Sequence, residues 1–226
     1  MFFHRFSILS CALAATVILS ISGCHNVDKS SNAEAVNLMD AASKARDYER
    51  MLSLADSLGK AGKLSKGESN YWQGYAHYQM SQRELAEYFW QEAIRVTENS
   101  EAPGDLVYYA KSASYLTSQL CRYAEYASAL HTALPIINRL EKIQCDTTSD
   151  YTNLLIFAGV SKTSFDKEDP TANEMLERAY QMHIDNIQKK DTKTAYRDAV
   201  AGINNIAYIW VYVKGYEQGL FWTNRL

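Results

Sequence analysis

Tyrosine is the residue type in this chain with the clearest binding chemistry. The 226 residues include 16 tyrosines, and Tyr71, Tyr75 and Tyr78 follow one another at spacings of four and three residues. Such spacing places side chains on one face of a helix. A tyrosine offers a rigid apolar ring and a hydroxyl group, which suits recognition of a ligand or partner. The same spacing also serves packing between helices, so both interpretations stand at this point.

Motifs for catalysis and for metal or cofactor binding are missing from the sequence. There is no glycine-rich phosphate loop, no H-E-x-x-H or paired-cysteine metal motif and no G-x-S-x-G serine motif. Other acidic and hydroxyl residues fit solvated faces or helix caps better than catalysis. These are the carboxylate pairs Glu84/Glu87 and Asp166/Glu168 and the cap candidates Thr148, Ser149 and Asp150. We therefore predict that this chain is not an enzyme and holds neither metal nor cofactor.

Histidines do not change that prediction. After residue 24 the chain has four of them, and none lies four residues from another metal ligand. Satisfied or solvent-exposed histidines explain them better than a metal site does. They are His25, His77, His131 and His183.

The charge balance argues against a nucleic acid partner. There are 23 Lys and Arg residues against 26 Asp and Glu residues, a formal net charge of -3. Nucleic-acid binding asks for a clustered positive field instead. The 10 Gly and 3 Pro residues are also too few for a turn-rich all-β chain and indicate long helices.

Apolar residues recur at spacings of three and four along almost the whole chain, which predicts helices. Polar or breaker clusters separate the helical stretches, so the helices form consecutive pairs. We predict helices over residues 34–45, 47–58, 68–80, 83–97, 105–119, 122–142, 150–162, 171–188, 193–213 and 216–226.

One helix pair carries the spacing of a tetratricopeptide repeat. Gly74, Ala86, Trp90 and Ala93 match its pattern of small and large residues, and Ala86 recurs as Ala124 38 residues later. A single pair cannot bury its apolar face, so neighbouring pairs must stack. The sequence predicts an all-α, tetratricopeptide-like right-handed solenoid of about five helix hairpins. A generic helical bundle is the alternative.

The first 23 residues have the form of an export signal. Arg5 is followed by an apolar stretch over residues 8–21 and then by small residues. The sequence Ile21-Ser22-Gly23-Cys24 resembles the lipobox of bacterial lipoproteins, which implies cleavage before Cys24 and attachment of lipid to it. An uncleaved membrane anchor is the alternative, although the stretch is shorter than the ~20 residues that a spanning helix prefers.

These features divide the chain into three parts. Residues 1–23 are a lipoprotein-type signal peptide, residues 24–33 a tether, and residues 34–226 the helical-repeat domain. We expect the domain at the cell envelope, on the periplasmic side, held to the membrane through lipidated Cys24. The last predicted helix still carries the apolar residues Phe221, Trp222 and Leu226, which suggests a domain that is incomplete at its C-terminus.

Two cysteines remain in the helical domain, and geometry argues against a disulfide between them. If residues 122–142 form one helix, Cys121 and Cys145 lie roughly 30 Å apart, whereas disulfide Cα atoms must approach within about 7 Å. We predict two free, buried thiols, unless Pro135 folds that helix back on itself.

Longer stretches of the chain resemble a known family. The stretches are Met51–Leu58, Leu64–Glu68, Asn70–Trp72, Gly74–Ala76, Cys145–Ile156 and Ile206–Tyr208. Over residues 48–226 the chain resembles the extracytoplasmic, tetratricopeptide-bearing front region of certain bacterial sensor histidine kinases. The resemblance implies a sensing role, while the kinase half of that family is absent from this chain.

In tetratricopeptide folds the first helix of each pair lines a concave surface, and two sets of residues fall at those places. The candidate ligand- or partner-binding residues are Glu68, Tyr71, Tyr75, Tyr78, Gln79, Asn204, Tyr208 and Tyr212. A protein or peptide partner is expected, and a small-molecule ligand is possible. The leading hypothesis is a non-catalytic sensing or interaction module of a two-component signalling protein. The alternatives are a stand-alone lipoprotein scaffold and a nutrient-binding lipoprotein.

Overall fold

The described part of the chain consists of ten helices and contains no strand. The structure, a computed structural model, describes residues 33–146, 148–190 and 193–225, and leaves some side chains of the last three helices undescribed. The predicted signal peptide, Cys24 and almost all of the tether lie outside these residues. The helices are α1 (Ala33–Ala45), α2 (Tyr48–Lys60), α3 (Lys66–Gln79), α4 (Arg83–Thr97), α5 (Pro103–Arg122), α6 (Tyr126–Lys142), α7 (Ser149–Phe165), α8 (Pro170–Lys190), α9 (Lys193–Lys214) and α10 (Tyr216–Thr223).

Each helix packs against the next one in the chain, and the alternate helices α3, α5, α7 and α9 also contact one another in succession. This is the packing of consecutive helix hairpins, in which every pair covers its neighbour. The all-α prediction is confirmed, and so is the order of the ten helices.

Local signals in the sequence fix where the helices begin. Ser65 and Glu68 form a capping box at the start of α3, in which the Ser65 N–H donates to Glu68 Oε2 at 2.7 Å. Pro103 stands in the first turn of α5, where its missing N–H costs nothing. Thr148 accepts from the Tyr151 N–H at 3.2 Å and caps α7, so of the three cap candidates it is Thr148 that caps the helix.

The first three helix pairs share one tight turn. A residue one or two places after the helix end adopts left-handed φ, at +57° in Arg46, +61° in Ser81 and +59° in Ala124. The next N–H then reaches back to a carbonyl five residues earlier and closes the helix end. These bonds are Asp47 N to Ala42 O, Gln82 N to His77 O and Glu125 N to Leu120 O.

Two clusters of buried side chains meet along α5. The first draws mainly on α1–α6 and includes Met51, Trp90 and Leu116. The second draws on α5–α9 and includes Ala113 and Ile206. In α5, 11 of 20 residues are buried, because helices cover it on both sides.

Gly74 allows the closest approach inside the second helix pair. A Cβ added at Gly74 would lie 2.6 Å from Cδ1 and Nε1 of the fully buried Trp90 indole. No side chain fits there without moving a ring that the core encloses. The buried indole at position 90 therefore requires a residue without a side chain at position 74.

Replacing Gly74 by Ala is expected to lower the free energy of unfolding by about 1–3 kcal/mol, because the new methyl group overpacks against Trp90. Thermal or urea denaturation followed by circular dichroism measures this. Gly104→Ala is the matched control, since a Cβ there meets nothing within 4 Å. We expect the control to unfold at or slightly above the wild-type midpoint, and equal loss in both variants would contradict the assigned contact.

The two cysteines of the domain behave differently from each other. Cys121 is free and buried, with its Sγ 3.1 Å from Ser161 Oγ, and burial raises the pKa of its thiol to about 11. Cys145 is disulfide-bonded, so the prediction of two free thiols is right for Cys121 and wrong for Cys145. The length of α6 excludes only the pair Cys121–Cys145, and α6 indeed continues through Pro135 without folding back.

Candidate functional site

Helices α3 and α5 present matching tyrosines along one face. Tyr71 and Tyr108 are 37 residues apart, as are Tyr78 and Tyr115, and α3 and α5 begin at Lys66 and Pro103 with the same offset. Together with Tyr75 they form what we call the tyrosine face. Because the offset equals one helix pair, equivalent rings from two pairs lie side by side.

The rings of the tyrosine face are in mutual contact. Ring centroids lie 5.3 Å apart for Tyr71 and Tyr108, 5.8 Å for Tyr75 and Tyr115, and 6.2 Å for Tyr78 and Tyr115. Tyr71 and Tyr108 are buried, whereas the other three tyrosines are half-buried. Edge-on and tilted contacts of this kind stabilise aromatic clusters. The face thus combines two buried rings, which are held in place, with ring surface on the other three that a partner can still reach.

One cation and one carboxylate accompany these rings. Lys111 on α5 holds its Nζ 5.8 Å from the Tyr71 centroid and 5.4 Å from the Tyr108 centroid, within range of a cation–π interaction. Asp150 lies in the first turn of α7 and makes no hydrogen bond or ion pair with any residue that the structure describes. Burial raises the pKa of its carboxyl group to about 6, against an opposing effect of Lys111.

The charge of Asp150 also acts on the tyrosines. Burial raises the pKa of Tyr115 to about 12, and Coulombic interactions with Tyr75 and Asp150 raise it further. The pKa of Tyr71 is raised by burial first, then by Tyr115 and Asp150. A half-buried carboxyl group without a partner beside an aromatic surface is a feature of binding sites.

The site is suited to binding. Its rings can stack on apolar or planar groups, Lys111 can hold an anion, and Asp150 can accept hydrogen bonds or pair with a cation. Within residues 33–146, 148–190 and 193–225, no group of three or more His, Cys, Asp or Glu side chains could hold a metal ion.

The predicted residues of α3 fall into three environments. Tyr71 and Tyr75 lie in the tyrosine face. Tyr78 lies in it and also lines, with Gln79, a cleft at the end of α3. Glu68 is 1% exposed and serves the capping box of α3, so it offers little surface to a ligand.

The predicted residues of α9 are not brought to the tyrosine face. Asn204 and Tyr208 are exposed on α9, which packs against α7, α8 and α10, three helix pairs beyond α3 in the chain. The side chain of Tyr212 lies outside the described ones. The two predicted sets therefore lie on helices that are separated by α5 and α7.

Sequence reasoning missed Tyr108, Lys111, Tyr115 and Asp150. The 37-residue offset could have found two of them, since it carries Tyr71 to Tyr108 and Tyr78 to Tyr115. Lys111 corresponds to Gly74, which is not a candidate binding residue. Asp150 carries no such signal, because a carboxylate at the start of a helix is the ordinary pattern of a helix terminus.

Comparisons with known proteins do not identify a family for this chain or a function for this site. No protein-family model matches the chain, and no curated protein matches it at a significant level. Among the helices that the structure describes, none combines the length and the hydropathy needed to cross a membrane.

Replacing Asp150 by Asn is expected to stabilise the protein at pH 7.5 and to have no such effect at pH 4. The pKa of Asp150 rises from its ordinary value of 3.8 to about 6 on folding, so the folded state binds the proton more tightly than the unfolded chain does. Wild-type stability therefore falls as the pH rises from about 4 to about 6, and Asn removes that loss. The gain at pH 7.5 should be roughly 1–3 kcal/mol.

Urea denaturation at the two pH values measures this difference. Asp56→Asn is the control, because Asp56 is exposed and pairs with Lys60 on the surface. We expect the control to change stability by less than about 0.5 kcal/mol at either pH. A gain for the Asp150 variant that is equal at pH 4 and pH 7.5 would show that desolvation of the charged carboxylate is not its cause.

Proposed function

We propose that this chain is a non-catalytic sensing or interaction module that binds a protein or peptide partner on the tyrosine face. The observation that carries the proposal is the mutual contact of five tyrosines from two consecutive helix pairs, with Lys111 over two of the rings. The unpartnered Asp150 acts on these rings through its charge. The rings supply contact area, and the two charges supply orientation. A peptide suits this combination because its side chains, amides and termini offer apolar, polar and charged groups together.

The helix packing supports a repeat architecture for the module. Alternate helices α3, α5, α7 and α9 contact one another in succession, as the first helices of a tetratricopeptide-like right-handed solenoid would. In such a solenoid the tyrosine face lies on the surface that these helices share. The proposed architecture and the proposed binding surface are therefore consistent with each other.

The resemblance to the front region of sensor histidine kinases gives the module its proposed place in signalling. Binding of a partner would shift a longer protein between two states, provided that the partner has different affinities for them. The residues available for this are those of the tyrosine face, and no phosphotransfer role is assigned to any residue of this chain.

A photo-crosslinking amino acid placed at Tyr75 in the source cells tests the binding surface. We expect a crosslinked product of discrete mass from position 75. The same product should be much weaker from position 88, because Tyr88 is exposed on α4 and lies outside the tyrosine face. Combined Lys111→Ala and Asp150→Ala replacements should reduce the product from position 75 several-fold. Equal products from positions 75 and 88, or none from a folded and abundant protein, would refute the proposed face.

A stand-alone lipoprotein scaffold is the second candidate, and one observation favours it. Helices α9 and α10 expose several large apolar side chains, a feature of protein contact surfaces. They are Tyr196, Val200, Tyr208, Val211, Tyr216, Leu220 and Phe221. The scaffold predicts crosslinked products from position 200 rather than from position 75, so the same experiment separates the two candidates.

Attachment to the envelope through Cys24 is the remaining part of the proposal, and it competes with the disulfide of Cys145. Removal of residues 1–23 would leave Cys24 as the one cysteine of the chain, besides the free Cys121, that Cys145 could join. A sulfur joined to lipid by a thioether cannot also form a disulfide. Mass spectrometry of the non-reduced protein from the membrane fraction should find a lipid-modified peptide that begins at Cys24. Replacement of Cys24 by Ala should release the protein from that fraction, whereas Cys121→Ala, at a free thiol, should leave it there.

The same spectra identify the disulfide partner of Cys145. A peptide pair that joins Cys24 to Cys145, or a mature chain that retains residues 1–23, would overturn the lipid anchor. The proposed binding face does not depend on this result.

A further inference from the structure

A cleft of about 360 Å³ lies between the α3–α4 turn and the last turn of α5. Its walls include the rings of Tyr78 and Tyr123 and the side chains of Gln79, Gln119 and Arg122. The volume falls in the range of small-molecule sites. The cleft shares only Tyr78 with the tyrosine face and is otherwise a separate site.

Gln119 is the first indication of a ligand. Its side chain is 5% exposed and lines the cleft, yet its amide makes no hydrogen bond with any residue in the described part of the chain. The amide atoms are not among the buried, unpartnered side-chain atoms of the described residues, so they can be reached from the cleft. The side chain carries two N–H donors and one carbonyl acceptor, and the cleft is the direction from which partners for them can come.

The two arginines of the cleft differ in whether their guanidinium groups already have carboxylate partners. Arg83 already has partners. Its Nε donates to Glu87 Oε1 at 2.6 Å, and its guanidinium also donates a hydrogen bond to Glu125. The guanidinium lies 3.7 Å from the Tyr123 ring centroid. Hydrogen bonds to Glu125 and Glu87 raise the pKa of Arg83 above its ordinary value. Arg122 has no ion pair with any described residue. One guanidinium is therefore left to receive an anion.

We infer that this cleft binds a small organic monocarboxylate. The free Arg122 guanidinium would hold the carboxylate with two hydrogen bonds, and the Gln119 amide would bond the same group or a polar substituent beside it. The rings of Tyr78 and Tyr123 would flank the organic part.

A single negative charge fits better than a phosphate dianion. Arg122 is the only cation in the lining without a carboxylate partner, and the cleft lies beside the C-terminal ends of α3 and α5, where the helix dipole is negative. Both facts limit the anionic charge that the cleft can hold. A planar carboxylate matches the one guanidinium that remains.

Nuclear magnetic resonance of the Gln119 side-chain amide and the Arg122 Nε–H tests the inference. The probes are acetate, lactate, glucuronate and N-acetylalanine, each beside its neutral amide. We expect at least one carboxylate to shift both signals saturably and to bind about tenfold or more tightly than its amide. A hexapeptide that ends in the same alanine carboxylate shows whether the carboxylate can come from a peptide terminus as well as from a free small molecule.

Variants keep the test independent of folding. Arg122→Gln should lose the binding, and Gln119→Glu, which is isosteric but negatively charged, should lose it too. Arg50→Gln, at an exposed arginine of α2 outside the cleft, should keep it. The inference is overturned if no carboxylate shifts the two signals, if the neutral amides bind equally well, or if Arg122→Gln binds like the wild type.

Discussion

No helix pair of this protein can bury its own apolar residues, and the rest of the structure depends on that constraint. The pairs must stack in chain order so that each covers the next. Helix α5 shows the result most clearly, since it contributes side chains to both buried clusters and has more than half of its residues buried. Within the second pair, Gly74 and Trp90 let the two helices approach closely, because the missing side chain on α3 makes room for an indole on α4.

The tyrosine face follows from the same stacking. Equivalent positions of consecutive first helices become neighbours, so tyrosines 37 residues apart in sequence have rings about 5–6 Å apart in space. Asp150, on the next first helix α7, adds its charge to the surroundings of these rings. The face itself is assembled from α3 and α5, neither of which carries it alone, and a shift of one helix against the other would change the surface as a whole.

Helical periodicity was enough to predict all ten helices, because apolar residues at spacings of three and four dominate every pair. The largest error at a helix boundary concerns residues 122–125. The sequence placed the start of the sixth helix at Arg122, whereas Arg122 ends α5 and α6 begins at Tyr126. The left-handed residue of that turn is Ala124, and an alanine gives none of the signal that a glycine would.

The site was only partly predictable, for a related reason. Tyrosine spacing within α3 pointed to Tyr71, Tyr75 and Tyr78, but their partners on α5 and α7 depend on how helices stack, which spacing within one helix does not contain. Lys111 and Asp150 are ordinary residues in their own helices and become notable only beside the rings. The disulfide of Cys145 was missed because only one of its possible partners was considered.

Contacts between neighbours in the chain have a kinetic consequence. Most of the packing joins helices that are adjacent or next but one in sequence, so the loops that must close during folding are short. Proteins with such low contact order fold quickly. Synthesis proceeds from the N-terminus, so the cluster around Met51 and Trp90 can gather most of its side chains before α9 has left the ribosome. The second cluster can then assemble on a surface of α5 that is already in place.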